Sequence, residues 1–181
     1  MRGPIVLSAG GTGGHLFPAQ ALAGELARRG HGIVVMTDSR FANFATSFPG
    51  ARIETVPSAP LNSLLAPFKI VAGILLALGK LLRLRPSAVI GFGGYPSVPV
   101  MLAANFAGLP TGIIEQNAVV GRANRLVMNK VRLMAAAFPI ATALGTFSVP
   151  GRRSRSCLPP NWMGRSLVPL FTYSAPMPFG A

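Results

Sequence analysis

A chain of 181 residues, half of them hydrophobic and 12% charged, suits one domain with a proper core and leaves little room for a second. That balance excludes a wholly disordered or coiled-coil protein. Seventeen Lys and Arg against four acids give a formal net charge of +13, which points to an anionic partner such as a phosphorylated ligand or an anionic membrane; the basic residues are scattered and only three are Lys, so nucleic acid is not the expected partner.

Ile5 to Ala9 is a short apolar run closed by glycines, and it reads as a first strand. It is too short for a signal-peptide core, so a cytoplasmic chain is expected. A glycine loop follows, and Pro18 is read as the opening of a helix over Ala19 to Arg29, with Leu22 and Leu26 four apart and Gly30 as its stop. Ile33 to Met36, Arg52 to Val56, Ala88 to Gly91 and Pro110 to Ile114 read as further strands, with helical stretches between them. Short strands alternating with helices predict βαβ units, hence an α/β fold with a Rossmann-like, doubly wound parallel sheet whose ligands bind at the carboxyl ends of the strands.

Leu61 to Arg85 is the most apolar segment, and its uncharged run from Ile70 to Gly79 is bracketed by Lys69 and Lys80, then Arg83 and Arg85. That run is too short to cross roughly 30 Å of hydrocarbon as a helix. Two readings stand: a core helix of the domain, or an interfacial helix whose leucines enter a membrane while its basic residues meet anionic lipid. After Pro139 the pattern changes. Residues 141–181 carry Arg152, Arg153, Arg155 and Arg165, no acid and many prolines, and are expected to form an irregular, disordered tail behind a domain spanning 1–140. Cys157 is the lone cysteine, so no internal disulfide forms, and with two histidines it cannot complete a closed structural zinc site.

Three stretches carry candidate chemistry. The first, Ala9 to Pro18, holds Gly10, Gly11, Gly13 and Gly14 between a strand and a helix, so the backbone can approach a ligand and the free helix-start N–H groups favour a phosphate. Leu16 stands where a dinucleotide fingerprint needs its last glycine, and no Gly-Lys-Ser/Thr of a P-loop follows. The second, Gly91 to Pro99, repeats the design at another strand end; two such loops would face one cleft and hold a diphosphate between them. There Phe92 is expected in the core, while Tyr95 and Ser97 could serve either core or ligand. The third, Glu115-Gln116-Asn117, ends a strand with polar groups suited to a sugar or an amide, although Asn117 could equally cap a helix. His15 could act as general base or hydrogen-bond a phosphate, whereas His31 sits in a predicted turn. Asp38 is the only aspartate, so the Asp-x-Asp pair of metal-dependent sugar transferases cannot be built, and charge stabilisation would fall to helix dipoles and basic side chains.

GGTGGHLFP at 10–18, GFGGYPSVP at 91–99 and EQNAVVGRANR at 115–125, in that order, resemble the N-terminal domain of glycosyltransferase family 28, the MurG-type N-acetylglucosaminyltransferases of peptidoglycan synthesis. The resemblance covers residue 1 to about 139. It implies the N-terminal, acceptor-side half of a two-domain glycosyltransferase B fold. It further implies metal-independent, inverting transfer of N-acetylglucosamine from UDP-GlcNAc to lipid I, an undecaprenyl diphosphate acceptor, giving lipid II. The enzyme would be peripheral on the cytoplasmic face of the bacterial inner membrane and need no cofactor. Carried over by motif, the glycine loops, with Gly93, Gly94 and Tyr95 in the second, lie at the acceptor diphosphate; Thr12, Gly13 and Gly14 also border the donor; Asn117, beside Gln116, is a binding asparagine; and His15 or Glu115 removes the acceptor proton. The apolar segment around Ile70 to Arg85 resembles the family's membrane patch.

Two departures stand out. Ile114 occupies a place often held by His in the family, and the Gly-Asn-Pro-Val-Arg segment expected after Pro139 is missing. The expectation is therefore a frameshift or truncation near 141 and no turnover by this chain alone. The alternative function is a non-catalytic membrane-anchoring or acceptor-binding subunit that works with a separate donor-binding partner.

Overall fold

A computed structural model describes residues 3–40, 48–59 and 66–137; the expected irregular tail lies outside the described residues. Six strands form one sheet: β1 (Ile5–Ser8), β2 (Ile33–Thr37), β3 (Arg52–Thr55), β4 (Ala88–Gly91), β5 (Thr111–Glu115) and β6 (Leu133–Ala136). All neighbours pair in parallel, in the order β3-β2-β1-β4-β5-β6. This is the doubly wound order, and it reverses direction between β1 and β4, the place where such sheets open a crevice at their carboxyl ends.

The inner strands are continuous apolar runs because both of their faces are covered. Alternate residues serve opposite layers. Val6, Val34, Met36, Val89 and Ile113 pack with α2 (Ala66–Leu84) and α3 (Ser97–Phe106), joined by Ala77, Leu81, Val100 and Met101. Ile5, Leu7, Ile33 and Val35 face the other way, onto Leu16, Ala19 and Ala23 of α1 (Gly13–Arg28), with Phe92 fully buried in that layer as expected.

The structure differs from the sequence pattern in two places. The helix read as opening at Pro18 begins at Gly13, and Pro18 lies inside it. Thr12, in extended conformation, is its N-cap, and its carbonyl accepts from the amides of His15 and Leu16 at 3.1 and 3.3 Å. The helix thus forms despite the bond that proline removes, and much of the supposed loop is its first turn. The second is at the far edge, where β6 and a short helix α4 (Arg122–Val127) add to the elements read from the sequence.

α2 carries apolar side chains on its exposed face as well as on its buried one. Gly73, Ala77 and Leu81 are buried, Gly73 against Pro57 and Pro99 at the start of α3, whereas Phe68 at 75%, Leu75 at 64% and Leu82 at 59% exposure lie on its outer face with Val71 and Leu76. The core-helix reading of this segment accounts for the first set only. Among the described residues no helix is long and apolar enough to cross a membrane.

Candidate active site at the strand ends

β1 and β4 end side by side, so the loops that leave them meet. Gly94 presses on Gly10: a Cβ at 94 would collide with the Gly10 carbonyl oxygen, and the residue holds φ +75°, a conformation suited to glycine. Gly11, at φ +93°, faces Gly94 and the Tyr95 ring. The two glycine loops therefore pack against each other at the strand ends.

The start of α1 opens into the same place. Thr12, Gly13 and Gly14 are exposed, the first turn holds no acid, and the Thr12 side chain makes no capping bond. The amides of Gly13 and Gly14, at the helix start, have no intrahelical acceptor, which leaves a concentration of positive partial charge facing outward.

His15, half-buried in that first turn, lies with its ring against the second loop. A Cβ at Gly93 would come within 3.3 Å of its Cε1, and one at Gly94 within 3.2 Å of its Cδ2. Its Nδ1 is 3.3 Å from Oε1 of Gln116, which follows β5. Three motifs far apart in sequence thus converge on one imidazole.

Glu115, the last residue of β5 and 1% exposed, receives four hydrogen bonds. Donors are the Asn117 amide (3.0 Å) and side chain (2.9 Å), the Gly121 amide (2.9 Å) and the Asn124 side chain (3.0 Å). Burial raises its pKa, but the donors of Gly121, Asn124 and Asn117 outweigh that and hold the carboxyl below its usual range. A carboxylate engaged on both oxygens is a brace for the 116–124 loop. Asn117, exposed and tied to Glu115, does not cap α4, whose N-cap is Gly121.

Behind Tyr95 lies a charged group that the sequence did not reveal. The Arg40 guanidinium sits 5.1 Å from the Tyr95 ring centroid. Buried Asp38 accepts from the Arg40 backbone amide (3.0 Å), from its Nε and Nη2 (3.2 and 2.9 Å) and from the Ser58 hydroxyl (3.2 Å). The lone aspartate is thus bound up in structure. Burial, then the Asp38 charge, push the Tyr95 hydroxyl above its ordinary pKa, with Arg40 opposing, so it stays protonated at neutral pH. Asp38 and Arg40 also line a pocket of about 570 Å³ that continues past Ser58 to Lys69 and Leu76 on α2. No local motif marks Arg40; Asn124 carried a signal, since it lies within the GRANR stretch.

Residues 5–136 match the family model described as glycosyltransferase family 28 N-terminal domain. The chain belongs to this family. A relative from Rhizobium meliloti (strain 1021) is 47% identical over 143 residues, covering 76% of this chain and 38% of its own. One from Sinorhizobium medicae (strain WSM419) is 41% identical over 184 residues, covering 98% of this chain and 49% of its own. Both are named UDP-N-acetylglucosamine–N-acetylmuramyl-(pentapeptide) pyrophosphoryl-undecaprenol N-acetylglucosamine transferase. The crystal structure of Acinetobacter baumannii MurG superposes with a TM-score of 0.68 at 30% identity, over 79% of this chain and 44% of that one. This family 28 chain therefore spans less than half the length of these relatives, and in the second alignment the match reaches into the segment after 141.

Proposed function

We propose that the chain provides the acceptor-side half of an inverting transferase that moves N-acetylglucosamine from UDP-GlcNAc to lipid I, forming lipid II. The observation that carries this reading is His15, held between the second glycine loop and Gln116 at the open start of α1. An imidazole so placed can take the proton of the acceptor sugar hydroxyl as its oxygen attacks the anomeric carbon and the bond to UDP breaks. The outward N–H groups of Gly13 and Gly14 and the glycine backbone at 93 and 94 suit a diphosphate, which needs close approach and positive partial charge. Tyr95, Gln116 and Asn117 offer neutral hydrogen bonds to the acceptor around it. Glu115 braces the loop that presents them and takes no proton. The UDP-GlcNAc donor meets Thr12, Gly13 and Gly14 here and is bound mainly by sequence that follows this domain in the relatives.

The outer face of α2, with Lys69 and Arg83 beside its apolar stripe, suits the surface of an anionic bilayer, where a lipid-linked acceptor resides. The protein would then work as a peripheral protein at the cytoplasmic face of the bacterial inner membrane.

Calorimetric titration of the chain with a water-soluble lipid I analogue tests the acceptor reading. Saturable binding that inorganic diphosphate competes away and Gly94→Val removes is expected. A folded chain that binds no analogue contradicts the proposal.

A further inference from the structure

The Gln116 amide has two ends, and its surroundings decide which is which. Its Nε2 lies 3.3 Å from the carbonyl oxygen of Ile114, a group that can only accept. Reversing the amide would set oxygen against oxygen there. The oxygen Oε1 must therefore face Nδ1 of His15, at 3.3 Å, and it too can only accept. The proton of the neutral ring is thereby directed to Nδ1.

We propose that Gln116 is a positioning residue that holds neutral His15 as its Nδ1–H tautomer and so leaves Nε2 as the proton acceptor. A carboxylate commonly does this for a catalytic histidine and also stabilises the imidazolium that forms. An amide fixes the tautomer without adding a charge beside a site meant for a diphosphate. Glu115, one residue earlier, cannot substitute, since both its oxygens are engaged by Asn117, Gly121 and Asn124. The inference deepens the reading of His15 as the base and rests on it for its catalytic meaning.

The chain has two histidines, so ¹⁵N imidazole spectra of the uniformly labelled full-length protein at mildly alkaline pH contain two ring systems, assigned with His31→Gln. His15 is expected to show a protonated Nδ1 and an unprotonated Nε2. Gln116→Leu, checked for an unchanged fold by backbone spectra, should release it towards the Nε2–H form, and Gln116→Glu, which still accepts, should restore Nδ1–H. An Nε2–H ring in the unaltered protein, or a tautomer unchanged in folded Gln116→Leu, overturns the proposal. Because the spectra read the tautomer without turnover, an Nδ1–H ring in a protein that binds no acceptor analogue would retain the tautomer and remove the function assigned to it.

Discussion

Gly94 lies against the carbonyl oxygen of Gly10, so the loops after β1 and β4 pack backbone to backbone. A methyl group at 94 meets that oxygen and must also adopt φ +75°. Gly94→Ala is therefore expected to destabilise the domain by about 1–3 kcal/mol, lowering Tm by roughly 2–4 °C per kcal/mol. Gly30→Ala provides a control at φ +81°, because nothing lies within 4 Å of its added methyl group. Equal losses at the two positions, read by thermal denaturation, would mean that the loops do not touch.

Glu115 joins β5 to the loop carrying Asn117 and Asn124. Glu115→Ala strands the buried Asn124 amide and frees the part-buried donors of Asn117 and Gly121, with an expected cost of about 1–3 kcal/mol. The sign of the pH effect follows from the depressed carboxyl. Folded Glu115 binds its proton less readily than unfolded Glu115, so its contribution is full above the ordinary carboxylate value of roughly 4.3 and is lost as pH falls through the lower folded value. Chemical denaturation at neutral and acid pH should show the unaltered protein converging on Glu115→Ala as acid is added. A constant gap between them would show that the carboxylate is not the brace.

Leu75 and Leu82 are exposed, and their replacement by Ser should leave stability within about 0.5 kcal/mol. The same pair of changes should weaken binding to vesicles containing anionic lipid by about tenfold or more, since each leucine contributes roughly 1.5–3 kcal/mol when fully buried. Added salt should weaken binding of both forms through Lys69 and Arg83. Vesicle sedimentation that ignores these leucines would reject the membrane face.

Much of the fold can be read in the sequence because β1 and β2 are buried throughout and, like β4, appear as unbroken apolar runs ending in glycine or a polar residue, while β5 keeps Ile113 and Ile114 before Glu115. β6 escaped because Leu133–Ala136 is an edge strand, exposed at both ends, with Arg132 before it and too few residues for a pattern. Pro18 misled for a local reason: proline favours a helix start, yet here the Thr12 carbonyl begins the helix earlier. The glycine motifs showed which loops meet, since Gly94 packs on Gly10 and Gly11 faces Tyr95. They could not show that Arg40 stacks on Tyr95, or that Glu115 is spent on Asn117, Gly121 and Asn124. Those contacts depend on side-chain directions that only the folded sheet sets.

His15 is proposed to serve the acceptor site of a transferase. The most direct test fuses residues 1–140 to the C-terminal half of a family 28 relative and follows labelled N-acetylglucosamine from UDP-GlcNAc to a lipid I analogue. Transfer by the fusion is expected, with a fall of roughly a hundredfold or more in kcat for His15→Ala and acceptor binding kept. A folded fusion that binds acceptor yet transfers nothing, or one in which His15→Ala transfers as well as the parent, would contradict it.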